Sequence, residues 1–354
     1  MMIHNTRPSG PSSGRRFKAS AQRPLALLKQ CPVYQKTPLH NLSDLAKQLG
    51  VESFQVKDET NRMRLGSFKA LGGIYAIAQL LQDATSETDL LGEKTRQVAS
   101  ELTFITASAG NHGLSIAAGA SIFGSNAVIV LSAAVPEAFA VRIRSMGAQI
   151  ERVTGSYEDS VQQAVNLAEE NNWLHLADGS WDGYTERPAL VMEGYSVLAE
   201  ESRQEFEQSG LWPSHVFLQA GVGGLAASVA AHIREHWAKQ PTITIVEPDA
   251  APCLGSSIEA GHLVQVAGPV SHMGRLDCKD ASLIAFESLK LDAEIFMVVT
   301  DAQAQAATGL LAKHNISTTS SGAAPLAGAL ATKLPPDARC LMIATEGPEI
   351  KSAI

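Results

Sequence analysis

Three short stretches combine residues able to do chemistry with small residues that let a ligand come close. The first reads Lys57-Asp58-Glu59-Thr60, then Leu65-Gly66-Ser67-Phe68-Lys69-Ala70-Leu71-Gly72-Gly73. Lys69 falls at the start of an expected helix among apolar neighbours. There the positive helix end and the loss of water disfavour the ammonium and favour a neutral, nucleophilic amine suited to a Schiff base. Taken alone, a lysine on a helix is usually a solvated surface residue. The second stretch is Thr106-Ala107-Ser108-Ala109-Gly110-Asn111-His112-Gly113. Ser108, Ala109 and Gly110 leave room for close backbone approach, and free N–H groups at a helix start suit a carboxylate. Asn111 adds an amide able to hold a phenolic oxygen. The plainer reading is a tight turn in which Asn111 and His112 cap the helix. The third stretch is Gln219-Ala220-Gly221-Val222-Gly223-Gly224. Consecutive backbone N–H groups of Gly221, Val222, Gly223 and Gly224 could converge on a phosphate. A dinucleotide site asks instead for G-x-G-x-x-G and an acid about 20 residues on. The glycines here are spaced differently, although Glu247 follows at about that distance.

Each stretch lies between an expected strand and an expected helix, where α/β proteins hold ligands beyond the carboxyl ends of the strands. Short β-branched runs predict strands over 53–56, 103–106, 127–131, 149–153, 216–219, 242–246, 294–299 and 340–344. Longer amphipathic segments between them predict helices over 42–49, 68–81, 112–122, 136–146, 157–171, 188–209, 225–237 and 301–315. This alternation predicts an α/β fold with mostly parallel sheets. The polar run from Asp83 to Glu101 reads as a surface loop or helix end, and no repeat of fixed period is present.

With 354 residues, 45% of them hydrophobic, the chain is long enough for a large core and two domains. A net charge of −8 with scattered basic residues argues against nucleic acid or an anionic membrane as partner. No apolar run approaches the roughly 20 residues of a membrane span. The first 29 residues, with Arg7, Arg15, Arg16, Lys18 and Arg23 among Ser, Gly and Pro, read as a flexible arm of a cytoplasmic protein. Cys31, Cys253, Cys278 and Cys340 are far apart without a CxxC pair, which argues against a metal site or a disulfide framework.

In this order the three stretches resemble those of fold type II pyridoxal-phosphate (PLP) enzymes, the group of threonine dehydratase, threonine synthase and tryptophan synthase β. Within that group the chain is similar to diaminopropionate ammonia-lyases. That likeness rests on Tyr34-Gln35-Lys36-Thr37-Pro38-Leu39, Val56 to Glu59, Phe68 to Tyr75, Asp178-Gly179-Ser180-Trp181-Asp182-Gly183-Tyr184-Thr185, Gln219 to Gly223, Val246 to Asp249 and Thr345-Glu346-Gly347. It runs from about residue 30 to about residue 350.

The resemblance implies a cofactor joined to Lys69, its phosphate on Gly221 to Gly224, its ring hydroxyl near Asn111 and its pyridine nitrogen near Thr345. It also implies a substrate carboxylate on Ser108, Ala109 and Gly110, with Asp178 as the base for L-substrates. The reaction implied is a β-elimination that releases ammonia from diaminopropionate and ends in pyruvate, without a metal. Two positions depart from the pattern. Ala109 stands where the lyases carry an aspartate that acts on the D-isomer, and Thr318 to Ala323 replace a Glu-Ser-Gly-Ala motif. Dehydration of serine, threonine or a hydroxyaspartate, or a silent PLP-binding protein, are the alternatives. The resemblance further implies a homodimer. Its chains would have a large cofactor-phosphate domain (30–66 and 187–354), a small domain (67–186), and the cofactor in the cleft between them.

Overall fold

The computed structural model describes residues 2–7, 14–108 and 110–348. Its strands are β1 (Met2–His4), β2 (Leu39–Asn41), β3 (Ser53–Asp58), β4 (Thr103–Ala107), β5 (Asn126–Ser132) and β6 (Gln149–Val153). They continue with β7 (Leu174–His175), β8 (His215–Gln219), β9 (Thr242–Pro248), β10 (Ile295–Val299) and β11 (Arg339–Ala344). The first helices are α1 (Gln22–Leu28), α2 (Ser43–Leu49), α3 (Lys69–Thr85), α4 (Glu93–Ser100), α5 (Asn111–Phe123), α6 (Glu137–Arg144) and α7 (Tyr157–Asn171). After them come α8 (Glu186–Ser209), α9 (Gly224–His236), α10 (Cys253–Ala260), α11 (Leu283–Asp292), α12 (Asp301–Lys313) and α13 (Ser320–Ala331).

Two sheets organise these elements. A seven-stranded sheet has the order β1-β10-β9-β8-β11-β3-β2, parallel inside with the antiparallel edge strands β1 and β2. A four-stranded sheet, β6-β5-β4-β7, is parallel throughout. Strands such as Phe217–Leu218 and Cys340–Ala344 read as unbroken apolar runs because helices cover both faces of the sheet. Helices α3 and α8 pack closely where two glycines meet. A Cβ on Gly194 would lie 2.6 Å from Leu71 O, and one on Gly72 would lie 2.7 Å from Val191 O.

Local pattern predicted every inner strand of the large sheet to within a few residues. It missed short or glycine- and proline-marked elements: β1, β2, β7, α1, α10, α11 and α13, the last with Pro325 inside it. The polar run expected as a loop or helix end carries the last turn of α3 and all of α4, held by buried Thr95 and Ala99.

The expected flexible arm is tied down over its described residues. Residues Met2–His4 pair antiparallel with β10, Arg7 bonds Glu294 at 2.6 Å, and Arg15 meets Asp292 at 2.5 Å. Phe17, Ala19, Leu27 and Leu28 enter the main core. Their apolar area, added to the backbone pairing, outweighs the entropy of ordering. Among the described residues, no helix is long and apolar enough to cross a membrane.

Candidate active site

The carboxyl ends of strands from both sheets open onto one space. Strand β3 leads through a turn to Lys69, the first residue of α3, and β7 leads to Asp178. Strand β8 leads to the glycine turn, β4 to Ser108, and β11 to Thr345. Lys69 Nζ donates to Asp178 Oδ2 at 2.5 Å. A Cβ on Gly224 would lie 3.6 Å from Asp178 O, so the glycine turn abuts the Asp178 segment. Phe68 N donates to Thr345 O at 3.0 Å, and Ser67 bridges Glu346, which brings the end of β11 alongside Lys69.

The electrostatics reverse one expectation. Burial works against the Lys69 ammonium, but the Asp178 carboxylate beside it prevails and raises the lysine above its ordinary value. Conversely, burial pushes Asp178 up, while the Lys69 ammonium holds its carboxyl well below the usual carboxylate range. The paired carboxylate thus favours the protonated lysine, the opposite of the direction that helix end and desolvation alone predict. Both side chains keep some contact with the opening, at 21% and 26% exposure. His112 lies just beneath. Burial lowers it, and its Nε2 meets Leu176 O at 2.8 Å, which puts the ring proton on Nε2.

The glycine turn has the shape of an anion cradle. A Cβ on Gly221 would lie 2.9 Å from Cys278 Sγ and 3.1 Å from Arg275 O. Gly223 has φ +99, which L side chains rarely adopt, and a Cβ there would meet Leu254 at 2.9 Å. Beyond it Gly224 starts α9, whose first N–H groups lack intrahelical partners.

Helix α5 begins at Asn111, with Gly110 rather than Asn111 or His112 in the capping position. Gly110 N donates to Ser108 Oγ at 3.2 Å. Asn111, Gly110, Arg142 and Arg275 line one small cleft, and Arg142 is lowered by burial and by the facing Arg275. Ala109 lies outside the described residues. Thr345 is buried, and its hydroxyl accepts from Gln219 Nε2 at 3.0 Å.

Sequence and fold comparisons agree with this geometry. The pattern of the family described as "Pyridoxal-phosphate dependent enzyme" matches residues 31–346. The chain belongs to this PLP-dependent family. It is 36% identical to the diaminopropionate ammonia-lyase of Escherichia coli K12 over 276 residues, covering 77% of this chain and 69% of that one. The crystal structure of the E. coli lyase in complex with an aminoacrylate-PLP azomethine reaction intermediate superposes with a TM-score of 0.88. It has 30% identity and covers 98% of this chain and 93% of that chain. The processed form of threonine deaminase isoform 2 from Solanum lycopersicum shares the fold, with a TM-score of 0.78 and 21% identity over 98% of this chain and 93% of that one. These matches identify the architecture as that of fold type II PLP enzymes.

The residues present fit the family's cofactor. The turn at Gly221 and Gly223 leaves no room for side chains, a lysine amine stands opposite, and the buried Gln219 Oε1 has no hydrogen-bond partner. Sequence reasoning missed several neighbours, Tyr195, Cys278 and Tyr184 among them. Tyr195 of α8 packs edge-on against Phe68 at 4.8 Å, and its ring centre lies 5.7 Å from Lys69 Nζ. Burial pushes its phenol up to about 12. Cys278, raised by burial to about 11, presses against the glycine turn. Tyr184 fixes the approach to Asp178, accepting from Ala177 N at 3.2 Å and donating to His175 O at 2.7 Å. Only Tyr184 carried a sequence signal, through the segment around Asp178.

Proposed function

We propose that the chain eliminates ammonia from L-2,3-diaminopropionate, consuming one water and releasing pyruvate and two ammonia molecules. The observation that carries the mechanism is the Lys69 Nζ–Asp178 Oδ2 contact at 2.5 Å, an acid and a base side by side at the open end of the site. Likeness to ammonia-lyases of that name supports the substrate. In this reading Lys69 joins the cofactor, Gly221 to Gly224 hold its phosphate, Asn111 faces its ring oxygen and Thr345 its pyridine nitrogen. When bound, PLP supplies a conjugated ring that accepts the electron pair left at the substrate Cα. Ser108, Ala109 and Gly110 would bind the substrate carboxylate. Asp178 Oδ2, ionised because Lys69 lowers it, takes the Cα proton, and a proton held at Lys69 Nζ goes to the departing β-amine. Ala109 offers no carboxylate for the D-isomer, which supports L-selectivity.

The reading also assigns residues 67–186 to a small domain and residues 30–66 and 187–354 to a large one, with the cofactor in the cleft between them, in a cytoplasmic homodimer. The free cysteines Cys31, Cys253, Cys278 and Cys340 accord with a reducing compartment.

The test is to incubate PLP-loaded protein with L- and D-2,3-diaminopropionate, L-serine, L-threonine and a hydroxyaspartate, and to measure keto acid and ammonia. Pyruvate with twice as much ammonia, from the L-diamine, is expected. Preferred turnover of a hydroxy amino acid would make the enzyme a dehydratase, and a yellow protein inert to all five a silent cofactor binder.

A further inference from the structure

The segment carrying Asp178 and the glycine turn come from different parts of the chain, yet one pair of buried hydroxyls ties them together. Ser180 lies two residues after Asp178, and Ser282 stands just before α11. Their Oγ atoms are 2.7 Å apart. Ser180 N donates to Ser282 Oγ at 3.0 Å, while Leu283 N donates to Ser180 O at 2.9 Å. Both side chains are buried.

The capping pattern is unusual. A serine in the N-cap position ordinarily accepts from the N–H two or three residues into its own helix. Ser282 makes no such bond. Instead Ser180 Oγ accepts from Ile284 N at 3.0 Å, so the hydroxyl that caps α11 belongs to the Asp178 segment. The Ser282 hydroxyl is thereby released to hold Ser180. On its other side Ser282 N donates to Val222 O at 2.9 Å, in the middle of the glycine turn. An unbroken series of hydrogen bonds therefore runs from Val222 through Ser282 to Ser180, two residues from the carboxylate that meets Lys69.

We propose that Ser180 and Ser282 are positioning residues, a hydroxyl clasp that holds Asp178 in register with the Gly221 to Gly224 turn. The role rests on the reading of Asp178 as base and of the turn as phosphate cradle. Neither serine touches the reacting atoms. Small displacements between reacting groups cost large factors in rate, about a hundredfold for 1 Å, so a clasp acting on Asp178 governs turnover more than substrate affinity.

The experiment compares Ser180→Ala, Ser282→Ala, the double variant and the conservative Ser282→Thr in the PLP-loaded enzyme. Expected for each alanine variant is a kcat loss of about ten- to hundredfold. KM should stay within about twofold, and the isotope effect on Cα-deuterated substrate should be larger than in wild type. The double variant should lose little more than either single one, since the two hydroxyls act as one unit, and Ser282→Thr should restore most of the rate. Independently of activity, amide hydrogen exchange over residues 175–184 and 220–226 should speed up together in each alanine variant. An unchanged kcat and isotope effect, or faster exchange in one segment only, would overturn the clasp. If an alanine variant does not fold, Ser282→Thr against wild type decides. Restored exchange protection with normal kcat supports the clasp, and normal protection with kcat lost overturns it. A wild type inactive on the diamine would sink the reading of function, while the exchange data would still judge the clasp.

Discussion

Two lysine–carboxylate pairs lie a short stretch of chain apart, and they behave in opposite ways. Lys57, on β3, donates to Glu201 Oε2 at 2.6 Å and to Thr37 O at 2.8 Å, with both charged side chains almost fully buried. Arg62 shares the same carboxylate at 2.7 and 2.8 Å and grips Glu59 at 2.6 and 2.7 Å. Tyr34 adds a further bond to Glu201 at 2.9 Å. Lys69 and Asp178, by contrast, pair with each other and keep partial exposure. Burial lowers Lys57, and the neighbouring Arg62 cation adds to that shift, whereas Asp178 raises Lys69. In the buried cluster the carboxylates favour Arg62, which is raised, while Lys57 is left to its burial and to the repulsion of Arg62; in the Lys69 pair the single carboxylate acts on the lysine alone. The first arrangement spends its hydrogen-bonding capacity on holding β3 to α8. The second keeps capacity for a ligand.

The largest effect that sharpens this contrast is on catalysis. Asp178→Asn should lower kcat for pyruvate formation by about 10³-fold, with a drop in the thermal melt smaller than that of Glu201→Gln; a melt that collapses while activity survives would erase the distinction between the pairs. Glu201→Gln should do the reverse. Removing one partner strands buried cations, at a cost of about 3–5 kcal/mol, measurable by urea unfolding, with turnover by the remaining folded fraction near wild type. Gly223→Ala tests whether the cleft is built to leave space. Its φ of +99 and the Leu254 contact predict roughly 1–2 kcal/mol of strain and weaker PLP binding in a cofactor titration.

The smallest effect is the pH dependence. The folded-state pKa of Asp178 is depressed below its ordinary 3.8, so the stabilisation from its pairing is present above about pH 4 and lost as pH falls further. The acid limb of a stability profile should therefore be shallower in Asp178→Asn than in wild type. In Lys69→Ala burial acts on Asp178 without its main opponent, and a carboxyl resonance followed by NMR should titrate higher.

Much of the site was legible in local sequence. Gly221 to Gly224 and Lys69 each announce a strand-to-helix junction through residue types set by the backbone or by position. The inner strands were legible because a parallel sheet buried on both faces needs short, unbroken apolar runs rich in β-branched residues. Tyr195 was not legible, since nothing within α8 marks one buried aromatic as the neighbour of a lysine far upstream. Arg275, against Gly110, and the Ser180–Ser282 pair were hidden for the same reason. The Asp178 segment was legible only by likeness to a family.

The amino-acid sequence by itself determined the α/β architecture, through periodicity, and the family, through motifs whose residues are adjacent in the chain; it also singled out Lys69 and the Gly221 to Gly224 turn as the candidates for lysine and cradle. The tertiary structure alone decided the direction in which Lys69 is shifted. Helix position and burial argue for a neutral amine, but the outcome turns on a carboxylate brought from 109 residues away to within 2.5 Å. Coulomb attraction at that distance exceeds the desolvation that local sequence foretells. It arises only once two sheets have closed their strand ends around one space.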